Sequence, residues 1–255
     1  MNFASFGKGT GAFAMAAAMA LPFCIAVPAQ AATVGLELSL LIDVSGSVSE
    51  NEYVLQRDGY AAAFNNATVQ NAIFKSQGGS IAVNMIMWSN AGLQSEVVGW
   101  TLINSVTSAQ AFAAAVGAVA RPFIGSTAPG SAINYAVPLF ATNGFDGLRQ
   151  VIDVSGDGEG NGGDDTATAR DAALAGGIDA INGLAIGSQS LADWYASNIQ
   201  GGTNSFTIRV NEFADFAGAI EDKLVREITG VPEPMTLALF GAGLAALGMA
   251  RRRRT

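Results

Sequence analysis

The chain reads LELSLLIDVSGS over residues 36–47, and this stretch decides the fold class. Apolar side chains alternate at its start and then run continuously to Ile42, which predicts a buried central strand over 34–43. Asp43, Ser45 and Ser47 follow at alternate positions. Function in α/β proteins usually lies on loops at the carboxyl ends of strands, so these polar residues mark a candidate site.

Strand-like and helix-like segments alternate after this strand. Ser49 and Glu52 form a capping box that predicts a helix of about 16 residues. Strands are predicted at 81–88, 93–103, 149–155, 178–186 and 205–210. Helices are predicted at 108–119, 130–141, 166–176 and 190–198, with a last helix that begins after a cap at Asn211.

This alternation predicts an α/β protein with a Rossmann-like, three-layer arrangement. The connection over 89–92 is short enough to make its two flanking strands an antiparallel pair. We therefore expect a mostly parallel central sheet with one antiparallel edge strand and with helices on both faces.

The amino-terminal residues 1–32 are typical of a signal peptide. Lys8 precedes an apolar block over 12–27, and the small residues Ala29 and Ala31 suit signal peptidase. An uncleaved membrane anchor is the alternative. Cleavage after Ala31 or Ala32 would remove Cys24, which is the single cysteine of the chain.

The carboxyl-terminal residues 231–255 contain three features in order. Pro232-Glu233-Pro234 precedes an apolar run over 235–250 and four arginines over 251–254. This arrangement resembles the PEP-CTERM sorting signal of Gram-negative bacteria, which an exosortase is thought to remove. The resemblance implies transient membrane insertion through the apolar helix, and an ordinary permanent anchor is the alternative.

The composition excludes several functions. The chain has no histidine, so a Ser-His or Cys-His catalytic pair and a His-ligated zinc site are ruled out. Residues 33–230 keep 8 basic and 20 acidic side chains, a net charge of −12, because five basic residues and Glu233 lie outside that range. A domain this acidic repels nucleic acid, and its clefts attract cations.

Three oxygen-bearing side chains on one loop predict a cation site. Asp43 supplies a carboxylate, and Ser45 and Ser47 supply hydroxyls. Ligation by oxygen alone suits Mg²⁺, Mn²⁺ or Ca²⁺ and does not suit zinc or copper.

The sequence here resembles the von Willebrand factor A-type (vWA) domain, whose metal-ion-dependent adhesion site begins with Asp-x-Ser-x-Ser. The resemblance covers about 34–228 and implies two more ligands, Thr127 and Asp157. It also implies that an acidic group of a partner fills an open coordination position, so that the site clamps and does not catalyse. Ser126 is an alternative to Thr127.

The loop after the predicted strand 149–155 permits other interpretations. Residues 158–163 satisfy G-x-G-x-x-G, a dinucleotide pattern, but neighbouring carboxylates would repel a phosphate. Residues 157–162 imitate half of a calcium loop, although Thr168 stands where the bidentate Glu belongs. A solvated acidic loop is the third interpretation. Asp153, earlier on the strand, is either a supporting acid or a hydrogen-bonded structural residue.

We therefore expect three domains: a signal peptide at 1–32, a vWA-like domain at 33–230 and a sorting signal at 231–255. The expected function is that of an exported, non-enzymatic adhesion protein of the cell envelope or extracellular matrix, which captures an acidic protein or polysaccharide through a divalent cation. A scaffold with a fold-stabilising metal is the alternative, and a hydrolase is the least favoured.

Overall fold

The structure is a computed structural model that describes residues 1–2 and 31–230. Within 31–230 the strands are β1 (Ala32–Val34), β2 (Leu36–Asp43), β3 (Ile81–Trp88), β4 (Gln94–Ile103), β5 (Phe145–Gly147), β6 (Gln150–Gly156), β7 (Ala180–Ile186), β8 (Gly201–Gly202) and β9 (Thr207–Val210). The helices are α1 (Glu50–Asn65), α2 (Ala67–Lys75), α3 (Val106–Gly117), α4 (Pro129–Phe140), α5 (Thr166–Ala175), α6 (Gln189–Asn198) and α7 (Phe216–Thr229). A short 3-10 turn, Phe213–Asp215, precedes α7.

The main sheet has the strand order β4-β3-β2-β6-β7-β8, and β9 also pairs with β7. Strands β3, β2, β6, β7 and β9 run parallel, whereas β4 lies antiparallel to β3 at one edge. This confirms the predicted sheet. A second antiparallel strand, the two-residue β8, pairs with β7, and β1 and β5 form a separate parallel pair.

Helices cover both faces of the sheet, as predicted. Alternate residues of β2 point to opposite layers: Leu40 joins the core beneath α1, α2, α3 and α7, and Leu41 joins the core beneath α4, α5 and α6. Successive side chains of a strand point to opposite faces of the sheet, so the apolar residues of β2 contribute to both cores.

Helix α1 has the capping box and the length that the sequence predicts. The Ser49 hydroxyl accepts a hydrogen bond from the Glu52 backbone N–H at 3.4 Å, and the Glu52 carboxylate accepts one from the Ser49 N–H at 2.8 Å. The helix buries Tyr53, Tyr60 and Phe64 against the sheet. It follows the candidate site directly and therefore anchors the loop over 44–49.

Two of the helices differ from the sequence prediction. Helix α2 was not predicted; it begins immediately after α1, where the Asn66 side chain accepts from the Thr68 N–H at 2.7 Å. The predicted cap of the last helix is wrong, because the Asn211 amide oxygen accepts from Arg209 at 2.6 Å instead. Helix α7 begins five residues later, at Phe216.

The two ends of the described domain lie together at the amino edge of the sheet. Gly35, Arg149 and Gly230 line one cavity there. Gly230 ends α7 in the left-handed conformation, with φ of 65°, and Arg149 lies against it. Strands β2 and β6 begin at this edge, and their carboxyl ends lie at the opposite edge.

Two predicted segments fall on residues outside the described part of the chain. The apolar helix over 235–250 lies there completely, and so does most of the predicted signal peptide over 1–32. Among the residues that are described, no helix has the length and apolar character needed to cross a membrane.

Candidate metal centre

Three loops meet at the carboxyl edge of the sheet. Strands β2 and β6 are parallel neighbours, with Ile42 in register with Ser155, so the loops that follow them start side by side. The third loop, over 118–128, connects α3 to α4. The Gly46 N–H donates to the Gly125 carbonyl at 2.7 Å, which joins the third loop to the first.

The structure brings all five predicted ligands together. The hydroxyls of Ser45 and Ser47 lie 3.1 Å apart, and the Thr127 hydroxyl lies 3.3 Å from that of Ser45. Ser47 donates to Asp157 Oδ1 at 2.6 Å. Asp43 Oδ1 accepts from the Ser45 backbone N–H at 2.7 Å, which turns the Asp43 carboxylate back toward the loop.

The cluster is buried on one side and open on the other. Asp43, Ser45 and Thr127 are buried, whereas Ser47 is exposed and Asp157 is half-buried. A cation at this cluster would therefore be held by the protein from below and would remain accessible from solvent.

The environment of Asp43 indicates whether these residues could hold a cation. Its Oδ2 atom is buried and has no hydrogen-bond partner among the described residues. Burial raises the pKa of Asp43 to about 7, against hydrogen bonds from Ser45 that lower it. A buried carboxylate without a partner is costly, and a divalent cation would supply the missing interaction. The donor set therefore fits an oxygen-ligated metal.

Asp157 has a similar environment. Burial raises its pKa, the hydrogen bond from Ser47 lowers it, and the charge of Glu52 raises it. No group of three or more His, Cys, Asp or Glu side chains that could hold a metal occurs in the described residues. Any cation held here would therefore depend on the three hydroxyls as well as on the two carboxylates.

Gly156 leaves space for the Asp43 carboxylate. A Cβ atom at this position would lie 2.7 Å from Asp43 Oδ2 and 2.7 Å from the Tyr195 hydroxyl. Real side chains do not tolerate such contacts, so glycine is required at the last position of β6, directly before Asp157.

Asn161 holds the backbone of Thr127 through two hydrogen bonds. The Thr127 N–H donates to Asn161 Oδ1 at 2.9 Å, and the Asn161 N–H donates to the Thr127 carbonyl at 2.9 Å. The sequence predicted no role for Asn161 in holding Thr127. Its position between glycines, which leave the loop free to fold back, is the signal that could have indicated it.

We expect Asn161→Ala to weaken Mg²⁺ binding roughly 5- to 30-fold, because losing one partly buried hydrogen bond costs about 1–2 kcal/mol. Isothermal titration calorimetry would measure the change. Asn134→Ala is the matched control, because Asn134 donates to Asp164 and not to a predicted ligand. An unchanged dissociation constant for Asn161→Ala would show that the Asn161 side chain does not position Thr127.

Arg121 is a second supporting residue that the sequence did not reveal. Its Nη2 atom donates to the carbonyls of Val44 and Ser45 at 2.8 and 2.7 Å. The side chain is only 7% exposed, and Nη1 lies 3.8 Å from Glu50. Arg121 therefore ties the third loop to the backbone of the first.

The contacts of the neighbouring residues favour one alternative in each case. The Ser126 carbonyl accepts from Ser89, and it is the Thr127 hydroxyl that joins the cluster. Asp153 lies in the layer of α1 and α7 and contacts Lys223, so it has a structural role.

The acidic loop before α5 also has structural contacts. Asp164 accepts from Ser131 and Asn134, and Asp165 caps α5 by accepting from the Thr168 N–H at 2.8 Å. These contacts favour the interpretation as an acidic loop over a calcium or dinucleotide site.

The parallel sheet, the covering helices and the oxygen cluster at the carboxyl edge define a vWA-type domain. The chain belongs to the family described as Protein of unknown function (DUF1194), which matches residues 33–232. Residues 230–254 match the PEP-CTERM protein-sorting motif, which confirms that prediction and indicates export to the cell envelope of a Gram-negative bacterium. No curated protein matches the chain in sequence.

Solved structures with this fold include three from distant organisms. Proximal thread matrix protein 1 from the mussel byssus, with a zinc-occupied MIDAS (metal-ion-dependent adhesion site) motif, has a TM-score of 0.57 and 16% identity, over 78% of this chain and 47% of that chain. The von Willebrand factor type A protein from Catenulispora acidiphila gives 0.52 and 15%, over 77% and 43%. Pilus adhesin SpaC from Lactobacillus rhamnosus GG gives 0.55 and 12%, over 78% and 31%.

At these identities the likeness shows the fold. The chain also spans less than half the length of each of these three structures. The fold is therefore a vWA fold, as the sequence predicted, and the ligands and partners of those proteins do not transfer directly.

Proposed function

We propose that the protein is an exported, non-enzymatic binding protein that holds an acidic group of a partner through a divalent cation. The observation that carries this proposal is the buried, unpartnered Oδ2 atom of Asp43, whose other carboxylate oxygen accepts from the loop that carries Ser45 and Ser47. The sorting motif supports a partner at the cell surface or in the extracellular matrix.

The cation in this proposal is Mg²⁺, with Mn²⁺ or Ca²⁺ as substitutes. Ser45, Ser47 and Thr127 would hold it through hydroxyl oxygens, and Asp43 and Asp157 would hold it directly or through water. Hard oxygen donors favour these ions. The zinc in the mussel protein supports occupancy of such a motif by a divalent ion, without deciding which ion this chain binds.

The charge of the domain makes capture depend on the cation. With 20 acidic and 8 basic side chains over 33–230, the domain repels an acidic partner. A cation held by at most two carboxylates attracts a further carboxylate at its solvent side. The partner's acidic group would therefore bind when the metal is present and be repelled when the metal is removed.

Two carboxylate polymers, polygalacturonate and poly-glutamate, would test this proposal. Immobilised protein should retain at least one of them in millimolar Mg²⁺ and release it in EDTA, and their methyl esters should not bind. A metal that binds without any carboxylate capture would favour the alternative, a scaffold with a fold-stabilising ion. Hydrolysis of a panel of esters would support the enzymatic alternative.

Thr127→Ala should reduce carboxylate retention at least 10-fold and should lower the melting temperature by only a few degrees. The substitution removes one hydroxyl donor on a loop, with little loss of core packing. Thr142→Ala, at an exposed turn, is the matched control. A Thr127→Ala protein that fails to fold would assign Thr127 a structural role instead.

A further inference from the structure

A cluster of three charged side chains lies in the core, apart from the metal centre. Lys223 Nζ is 2.5 Å from Asp153 Oδ1 and 2.6 Å from Glu227 Oε1. The side chains of all three are buried, each with 0–1% exposure. Lys223 and Glu227 lie one turn apart on α7, and Asp153 lies on β6, so the contact joins the last helix to the middle of the sheet.

Phe206 and Asn182 border the cluster, and Asn182 fixes the position of Glu227. The Phe206 ring centroid is 5.6 Å from Lys223 Nζ. Asn182 Oδ1 accepts from the Phe206 N–H at 3.0 Å, so the Asn182 amide group donates to Glu227 Oε1, at 2.9 Å. Glu227 is therefore oriented toward Lys223 by a second buried side chain.

The Lys223–Asp153 contact is close but is not directed as a hydrogen bond. Neither Asp153 oxygen has a partner in hydrogen-bond geometry among the described residues. A carboxyl C–O bond is about 1.2 Å long, so Nζ lies within roughly 3.7 Å of the carboxyl carbon. Reacting atoms in near-attack arrangements are about 3–3.5 Å apart, so small side-chain movements would bring the nitrogen within reach of that carbon.

The proton balance of the cluster permits an uncharged form. Burial raises the pKa of Asp153, and it raises that of Glu227 to about 7. Burial lowers the pKa of Lys223, but the charges of Asp153 and Glu227 outweigh this effect and raise it. With one proton on the acids the cluster is neutral overall. Transfer of a second proton from Lys223 then gives the uncharged form, in which the amine is a nucleophile; it is the minor form, because the charges of Asp153 and Glu227 raise the pKa of Lys223.

We propose that Lys223 and Asp153 condense to an amide bond that cross-links α7 to β6. The uncharged Lys223 Nζ attacks the carboxyl carbon of protonated Asp153, and a C–N bond forms. Protonated Glu227 donates its proton to the departing hydroxyl, which leaves as water, and takes up a proton from the nitrogen. Glu227 returns to its starting protonation state, and no oxidant, reductant or cofactor takes part.

The fold lowers the activation barrier for this condensation relative to the reaction in water. Well-oriented groups within one molecule reach effective concentrations of about 10⁵–10⁸ M, which amounts to roughly 7–11 kcal/mol of the barrier. The amide also removes the burial penalty of an ammonium and a carboxylate. The product would hold α7 covalently against the sheet. An internal disulfide could not do this, because the chain contains one cysteine.

Tryptic mapping of the folded, purified wild-type chain would test the proposal. After denaturation and digestion, we expect a branched peptide that joins residues 150–170 to 210–226, lighter than the sum of its parts by one water. Cleavage after Lys223 should be absent, because the amine is acylated. Separate, unlinked peptides 150–170 and 210–223 as the main products would overturn the proposal.

Two controls separate the amide from other losses of water. A succinimide at Asp157-Gly158 would also lighten peptide 150–170, but it would leave that peptide unlinked and would therefore count against the cross-link. Chain recovered in urea and never folded should lack the branched peptide and should gain it after refolding, because the reaction depends on the buried geometry.

Variants test the role of each group. Asp153→Asn should form the same amide with loss of ammonia in place of water, so its final mass should equal that of the wild-type product. Lys223→Arg should form no cross-link. Glu227→Gln should lower the cross-linked fraction at least 10-fold after a fixed refolding time. The wild-type peptide map decides whether the cross-link forms, so the proposal can still be tested if a variant fails to fold. A Glu227→Gln protein that cross-links at the wild-type rate would refute Glu227 as the proton carrier.

Discussion

Mg²⁺ or Mn²⁺ at millimolar concentration raises the melting temperature of the wild-type protein by about 5–10 °C, and Asp43→Ala abolishes this increase. A ligand that binds only the native state stabilises it by about 2.7 kcal/mol at 100 times its dissociation constant. For a domain of about 200 residues, each kcal/mol corresponds to roughly 2–4 °C. Thermal denaturation with and without metal, monitored by circular dichroism, measures the shift.

Asp43→Asn provides a sharper version of the same experiment. Burial raises the pKa of Asp43 to about 7, so at pH 8 the metal-free protein carries a buried carboxylate that the fold disfavours. The neutral amide removes this cost and also removes a metal ligand. We therefore expect Asp43→Asn to melt at or above the temperature of the metal-free wild type and to show no metal-induced shift.

Asp146→Ala is the matched control, because Asp146 is an exposed aspartate on β5. It should keep the full metal-induced shift. If Asp43→Ala also keeps the shift, the cation binds elsewhere, and the assignment of Asp43, Ser45, Ser47, Thr127 and Asp157 as ligands is wrong.

Lys223→Met lowers the stability at pH 8 by about 3–5 kcal/mol, because it leaves two buried carboxyl groups without their cation. This corresponds to a fall in melting temperature on the order of 10 °C. The loss is expected whether Lys223 is held by ionic contact alone or by an amide bond, so this experiment is independent of the cross-link. Lys75→Met, at an exposed position at the end of α2, should change the stability little.

The pH dependence of this variant has a definite sign. Burial raises the pKa of both Asp153 and Glu227, and Lys223 opposes that rise. Without Lys223 both pKa values rise further, so between about pH 5 and 8 the native state binds more protons than the unfolded state. Stability then falls as pH rises. Urea denaturation should find Lys223→Met closest to the wild type at pH 5, and an equal deficit at pH 5 and 8 would contradict this account.

The features that the sequence predicted well are those encoded by local patterns. The apolar run to Ile42 predicted β2, and the capping box at Ser49 predicted α1 with its correct length. The loops that carry Thr127 and Asp157 were assigned by resemblance to a family whose motif spacing is specific. In each case neighbouring residues contain the information, because strand and helix periodicity and turn chemistry depend on nearby positions.

The features that the sequence did not predict depend on contacts between distant residues. The sequence left Asp153 as either a supporting acid or a structural residue, because its partner Lys223 lies 70 positions later and is specified only by the packing of α7. Asn161 and Arg121 support the site through backbone atoms of Thr127, Val44 and Ser45, which lie far from them in the sequence. Helix α2 lacked a long periodic stretch, and Asn66 alone indicated its start.

The position of Gly230 determines which way the domain faces when it is held by its carboxyl-terminal segment. Gly230 lies beside Arg149 and Gly35 at the amino edge of the sheet, whereas Asp43 ends β2 at the opposite edge. Strand β2 has 8 residues and so separates the two edges by roughly 26 Å. A tether at Gly230, to a membrane or to any other surface, would therefore attach at the edge of the sheet opposite the candidate metal centre and would leave the loops of that centre open to a bulky partner.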